Sequence, residues 1–341
     1  MAVTISDVAR AAGVSKGAVS YALNGRPGVS DVTRQRIVEA AKQLGWKPSL
    51  RAKGFSSSKA YALGLVVARD LKLLGTDPFF PAFIAGIEST LSEHEYALVL
   101  TIATDPDAEE RSYRKLVEGG RVDGVILTDM RNDDSRIALL RELKLPAVTL
   151  ERSDTPSPFT ALRTDDTDAI TAAVDHLIGL GHTRIAHVGG AQAYVHGRSR
   201  RLAWERALFA AGLPADLFAD ADFTASGGVT ATEALLRRPD RPTAIVYAND
   251  LMATAGQSFA LTHGFTVPGD LSITGFDNAE FAQYLNPPLT TISSDPLRWG
   301  RLAAAVLLDQ LAGTHDGQDI VLPPPKLLVR GSTGPVRFST T

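Results

Sequence analysis

From Tyr61 onward the chain alternates short, continuous apolar runs with longer amphipathic stretches, and this alternation limits the fold more than any other feature. "YALGLVVA" opens the pattern, followed by "YALVLTI" (96–102), "DGVILT" (123–128) and "PAVTL" (146–150). An amphipathic segment from Pro81 to about His94 and further helical stretches lie between them. Strands joined through helices at this spacing run parallel, in a sheet covered on both faces. After about residue 162 the alternation restarts with "RIAHVGG" (184–190), "TAIVYAND" (243–250) and "LSITGFD" (271–277). The expected body is therefore α/β with two lobes of similar size and parallel sheets. A late strand near "TTISS" and another near "IVLPPPKLLV" are expected to cross back between the lobes.

Between two such lobes, a small ligand is expected at the C-terminal ends of the strands. Asp77-Pro78-Phe79-Phe80 follows the first strand and places two aromatics at a loop mouth. Asn249-Asp250 and Phe276-Asp277-Asn278 end two later strands, and "HGRSRRLAWERAL" opens a helix with Arg198, Arg200 and Arg201. Carboxylates, an amide and arginines beside aromatic rings suit a polyhydroxylated ligand, because paired hydroxyls match bidentate partners. The same residues also read as strand-end caps and core aromatics.

Other classes find little support. The chain has no cysteine, so no disulfide framework and no thiolate nucleophile or metal ligand. Neither a phosphate-cradling glycine loop, a zinc-protease helix nor a nucleophile elbow is present. The seven histidines are scattered: His182 in "LGH" reads as a turn residue and His187 lies inside a strand. "DDTD" resembles a loop and helix start more than a metal site. Neither a cofactor, a metal nor a catalytic residue is expected. No apolar window is long enough to span a membrane, and Asp7 stands where a signal peptide would carry its apolar core. A cytoplasmic location follows as the expectation.

The first sixty residues differ in charge. They carry ten Lys/Arg against three acids, leaving 25 basic and 35 acidic side chains to the rest. A small basic head on an acidic body points to a polyanion partner for the head alone. The head parses into three short helices. Thr4 and Asp7 form a capping box before the first, with Ile5, Val8, Ala9 and Ala12 inward, and Gly13 ends it. Ser15 caps a second helix with Ala18, Val19, Ala22 and Leu23 inward; Ser30 caps a third with Val32, Ile37, Ala40, Ala41 and Leu44 inward. Two helices around a short glycine turn form a helix-turn-helix whose second member enters the major groove. Lys16, Gly17, Ser20 and Tyr21 face outward near its start.

"ISDVARAAGVSKGAVSYALNGRPGVSDVTRQRIVEAAKQLGWKP" resembles the N-terminal domain of LacI/GalR-family transcriptional repressors. "DPFFPAFIAGIE", "HLIGLGHTRIAHVGG", "YANDLMA", "ITGFDNAEFAQYLNPPLTTIS" and "LLVRGST" resemble that family's periplasmic-binding-protein-like effector domain. The resemblance implies a helix-turn-helix domain over 1–48, a hinge over 49–60 and a two-lobed body over 61–341. By position it implies base contacts from Lys16, Gly17 and Tyr21, and phosphate contacts from Thr4, Ser15, Ser20, Asn24 and Ser30. Where the family often has arginine, Tyr21 cannot pair bidentately with guanine. Phe55 falls on the position of the hinge's minor-groove wedge, with Arg51, Ala52 and Lys53 beside the phosphates. Effector contacts fall on Arg200, Asn249 and Asp277, with Phe223 as a stacking ring and Asp77 and Phe79 lining the first lobe. Asp168 is a further candidate whose register is ambiguous by a few residues. The implied protein is a homodimer on a near-palindromic double-stranded operator, regulated by a small effector, a sugar or alternatively a purine or other non-sugar metabolite. A C-terminal tail, "VRGSTGPVRFSTT", unsuited to an apolar heptad helix points to a dimer rather than a tetramer. A sugar-binding module without a regulatory role is the rival from another class.

Overall fold

Gly13, with φ at 64°, and Gly45, at 63°, end the first and third helices of a small helical unit in the left-handed conformation that glycine tolerates. The computed structural model describes residues 3–23, 27–46, 59–69 and 71–336. The chain divides into two compact units, Met1–Tyr61 and Ala62–Thr341.

In the first unit, α1 (Ile5–Ala12), α2 (Lys16–Leu23) and α3 (Asp31–Gln43) start where the caps place them. The Asp7 carboxylate accepts from the Thr4 N–H at 3.0 Å and from its hydroxyl at 2.7 Å. Ser15 Oγ accepts from the Ala18 N–H at 3.1 Å, and Ser30 Oγ from the Thr33 N–H at 3.4 Å. The core is Val8, Ala9, Ala12, Val19, Ala22, Ile37, Ala40 and Ala41, small side chains that let three short helices approach closely. Arg34 donates to the Ala22 carbonyl at 3.0 Å and ties α3 to the end of α2. Two residues expected inward are not. Val32 is 79% exposed because it precedes Ile37 by five residues, about 140° around the helix. Leu44 lies past the last regular turn and is also exposed.

The second unit runs β1 (Ala62–Val67), α4 (Leu71–Thr76), α5 (Phe79–Glu93), β2 (Ala97–Ile102), α6 (Pro106–Glu118), β3 (Gly124–Leu127), α7 (Ser135–Glu142), β4 (Ala147–Leu150) and β5 (Thr160–Arg163). It continues with α8 (Thr167–Gly179), β6 (Ile185–Gly189), α9 (Val195–Ala210), β7 (Phe218–Asp220), α10 (Ala225–Leu236), β8 (Ala244–Tyr247), α11 (Asp250–Thr262) and β9 (Ser272–Asp277). A short 3-10 turn (Glu280–Tyr284) leads to β10 (Thr290–Ser293), α12 (Pro296–Ala312), β11 (Ile320–Val321) and β12 (Leu327–Leu328).

The strands form two six-stranded sheets, ordered β11-β5-β4-β3-β1-β2 and β12-β10-β9-β8-β6-β7. Pairing is parallel apart from β10 with β12. In the first sheet Leu63, Leu65 and Val67 pack on α5 and α12, while Val66, Val125 and Leu127 pack on α6 and α7. In the second, Val188, Ile245 and Tyr247 face α10 and α11, and Ile185, Ala244 and Val246 face α8 and α9. Edge strand β2 departs from the expected cover, with Leu100 and Ile102 exposed. The segment "TTISS" does not cross between lobes as expected; it pairs with β9 in the second sheet. The crossing is made by α12, which returns to the first lobe, and by 320–328, which gives β11 to one sheet and β12 to the other.

The return of α12 depends on two glycines. A Cβ on Gly300 would sit 2.1 Å from the Phe83 carbonyl oxygen, and one on Gly86 would sit 2.0 Å from that of Leu297. Backbone meets backbone there, and neither helix can yield a side chain to make room. Gly300→Ala is expected to destabilise the body by about 1–3 kcal/mol through overpacking. Gly179→Ala, which meets nothing within 4 Å, should shift stability by less than about 1 kcal/mol. Denaturant midpoints of the two full-length variants check the contrast.

Candidate functional site

The outer side of α2 and the cleft of the body are the two surfaces the sequence singles out. Val19 and Ala22 turn α2 inward, so Lys16, Gly17 and Tyr21 are exposed and Ser20 is half-buried. A Cβ on Gly17 would meet only Ser15 Oγ, at 3.7 Å. Packing within the unit therefore does not require glycine there; its effect is to bare backbone on the outer face. Thr4, Ser15 and Ser30 sit at the three helix starts, where each also caps its own helix. Asn24, Arg51, Ala52 and Phe55 lie outside the described residues.

In the body, one cavity is lined by all six cleft residues expected from the sequence: Asp77, Phe79, Arg200, Phe223, Asn249 and Asp277. Arg69, Asp129, Glu151, Thr164, Asp166, His196 and Trp299 join them. The strands deliver most of these from their C-terminal ends. Four do so on strained backbone, with φ of 50° at Asp129, 73° at Glu151, 67° at Phe223 and 115° at Asp277. Non-glycine residues rarely adopt this region, and such strain collects where the surroundings over-determine a useful side-chain direction.

Two buried guanidiniums organise the polar lining. Arg69 pairs bidentately with Asp129 at 2.6 and 2.7 Å, and its guanidinium carbon lies 4.6 Å from the Tyr194 ring and 5.2 Å from Phe223. Arg200 donates to Asp166 at 2.7 Å and to the Ala248 carbonyl at 2.6 Å, and lies 3.5 Å from the centre of the Phe276 ring. Asn249 accepts from the Met252 N–H at 2.9 Å, capping α11, and donates to the Phe223 carbonyl at 3.0 Å. Asp250 lies behind the lining, accepting from Thr291 at 2.5 Å and from the Ala279 N–H at 2.8 Å, and so fixes the turn that follows Asp277.

Some acceptors are left over. Asp166 Oδ1 and Thr164 Oγ1 are buried without a hydrogen-bond partner. Burial pushes Asp277 well above the usual carboxylate range, raises Asp77, and lifts Glu151 to about 8. Burial drives His196 down to about 3, so its ring is neutral. The lobes meet beside the cavity: Val195 N–H donates to the Met130 carbonyl at 2.9 Å, and the Asn132 amide nitrogen to that of Gln192 at 2.8 Å. Among the described residues no cluster of His, Asp or Glu could hold a metal ion.

Two details correct the sequence reading and a third adds to it. Asp168 is exposed, and Asp166 takes the pocket position instead. Arg198 and Arg201 pair outside the lining, with Asp154 and Glu205. His182 closes the turn after α8, its N–H donating to the Leu177 carbonyl, and its ring is buried between Thr243, Ser272 and the Gly334 carbonyl.

Both parts of the chain resemble known proteins. The profile "Bacterial regulatory proteins, lacI family" matches residues 4–49, and that of a periplasmic binding protein-like domain matches 174–333. The transcriptional repressor CytR of Escherichia coli (strain K12) is 34% identical over 336 residues, 97% of this chain and 96% of that protein. The chain belongs to the LacI family. Solved structures carry the likeness across the whole fold. A CelR–cellobiose complex is similar with a TM-score of 0.75 and 32% identity, covering 97% of this chain and 99% of that one. The lac repressor dimer bound to operator and the anti-inducer ONPF gives 0.81 and 27%, covering 98% and 100%.

As a LacI-family member the protein is a ligand-responsive, DNA-binding transcriptional regulator. No described helix is long and apolar enough to cross a membrane. Of the lining that the sequence left unnoticed, Asp129 and Glu151 carried one signal: each is an acid directly after an apolar strand run, "DGVILTD" and "PAVTLE". Glu151 also has a consequence for stability. Its folded pKa lies above that of an unfolded glutamate, so the stability it contributes is fully present below about pH 4.5 and is lost as pH rises through about 8. Glu151→Gln is expected to flatten the fall in melting temperature between about pH 5 and pH 8, read from thermal unfolding of both proteins across that range.

Proposed function

We propose that this regulator is a cytoplasmic repressor of carbohydrate-utilisation genes. It acts as a homodimer on a near-palindromic operator and responds to a small sugar held between the lobes. Its chemistry is binding, not catalysis. Residues 1–48 form the head, 49–60 the hinge and 61–341 the body.

The observation that carries the sugar reading is the cleft itself. Aromatic rings (Phe79, Phe223, Trp299) stand beside polar groups of which Asp166 Oδ1 and Thr164 Oγ1 have no hydrogen-bond partner. An apolar sugar face suits the rings and its hydroxyls suit the acceptors. The similarity to a CelR–cellobiose complex over nearly the whole chain supports the same class. The lac repressor dimer on its operator supports the assembly.

On this reading Lys16, Gly17 and Tyr21 read base edges, while Thr4, Ser15, Ser20, Asn24 and Ser30 hold phosphates. Arg51 and Ala52 lie beside the backbone, and paired Phe55 side chains wedge into the central base step and kink it. Arg200, Asn249 and Asp277 bind the effector, with Phe223 stacking on it and Asp77 and Phe79 closing the other side. Effector binding changes DNA affinity only as far as it prefers one state of the body.

Selection of binding sites from random duplex DNA with the full-length protein tests the assembly. A two-fold symmetric site with a flexible central step is expected, and enrichment without symmetry would overturn the dimeric reading. With that site as probe, Phe55→Ala should lose at least tenfold in operator affinity while the melting temperature of the body is unchanged. In the same assay Asp277→Ala should bind the operator normally and no longer respond to the effector; a normal response would remove Asp277 from the effector contacts.

A further inference from the structure

Which sugars the cleft can take is limited by charge. We propose that it selects a saccharide without negative charge, bound through hydroxyl donors, and excludes phosphorylated and other anionic effectors, with Asp77 enforcing the choice. This rests on the effector reading above.

Among the described residues five carboxyl groups line the cavity, those of Asp77, Asp129, Glu151, Asp166 and Asp277, with the two guanidiniums of Arg69 and Arg200, and burial favours the neutral form of Glu151 and Asp277. Both guanidiniums are already matched: Arg69 is held by Asp129 through two hydrogen bonds and Arg200 by Asp166 through one at 2.7 Å. His196 faces the same space as a neutral ring. Among the described side chains no lysine lines the cavity. An incoming phosphate would therefore meet Asp77 beside guanidiniums whose charge Asp129 and Asp166 already balance.

The helix starts at the cleft give the same answer independently. The N-terminus of a helix is the commonest backbone site for a phosphate, because its free N–H groups point at the ligand. Here the protein's own side chains fill that role. Asp77 Oδ1 takes the Phe79 N–H at the start of α5 at 2.9 Å, and Asn249 Oδ1 takes the Met252 N–H at the start of α11. Asp77 is 8% exposed, so its carboxylate occupies the place an effector phosphate would need. What remains open is acceptor capacity: Asp166 Oδ1 and Thr164 Oγ1 are buried and unpartnered, in residues that line the cavity. Neutral hydroxyls complete such a lining without adding charge, and the nearby rings cover the apolar face.

The test uses matched pairs on the full-length protein: glucose and glucose 6-phosphate, cellobiose and its phosphorylated form, a nucleoside and its monophosphate, and inorganic phosphate alone. Binding is read by calorimetry and by release of the operator probe. Every phosphorylated member is expected to bind at least 100-fold more weakly than its neutral parent, or not detectably, and inorganic phosphate not at all. A phosphorylated member that binds as tightly as its parent, and whose binding is lost in Arg200→Ala, overturns the proposal. If the nucleoside binds and no sugar does, the sugar reading falls while the exclusion of anions stands or falls on the nucleoside pair. Asp77→Asn keeps an oxygen for the Phe79 N–H and removes the charge. It should narrow the gap between neutral and phosphorylated partners by at least fivefold, and an unchanged gap would remove Asp77 from the role given to it.

Discussion

The guanidinium of Arg200 holds the floor of the body together. Its bonds to Asp166 and to the Ala248 carbonyl, and its seat on the Phe276 ring, join the segment between the lobes to α9, β8 and β9. Taking a charge this far from water costs several kcal/mol unless both partners are in place, and leaving one partner alone typically costs about 3–5 kcal/mol. The pair thus ties the cap of α8 to α9. Asp277, Phe223 and Asn249 are positioned around it.

The rest of the cleft follows a similar division of labour. Some polar groups are spent on the protein itself: Asn249 caps a helix and holds Phe223, and Asp250 secures the turn after Asp277. Others are aimed into the cavity on backbone that bulky residues seldom adopt. Strain and incomplete hydrogen bonding both raise the energy of the empty site. A ligand that supplies donors to those acceptors lowers it. That is how a small molecule can favour one arrangement of a large body.

Much of this was legible in the sequence because the signals were local. Thr4 with Asp7, Ser15 and Ser30 mark the three helix starts, and the apolar runs mark seven strands. β5 and β7 escaped because "TALR" and "FAD" are too short to show a period. Val32 was misread because an apolar residue in the first turn of a helix carries no information about which face is buried until the next turns are fixed. Asp166 was missed in favour of Asp168 for a different reason. Both stand in one acidic run, and only the partner 34 residues on, Arg200, decides which of them turns inward. Spacing along a chain reveals elements; it does not reveal which of two neighbouring acids finds a cation across the fold.

The course of α12 makes the two lobes unequal in their dependence on the gene. The first lobe is not a continuous stretch of chain: Phe80, Phe83 and Ile87 are covered by a helix encoded more than 200 residues later, and β11 completes the same sheet. A truncation that spared everything up to β10 would leave the second lobe's central strands intact and strip the first lobe of one face. A premature stop near residue 295 would therefore damage the half of the body encoded farthest upstream of it. Shuffling the lobes between relatives requires at least two joints in the second half of the gene, one on each side of α12 and β11, in addition to the one near residue 163.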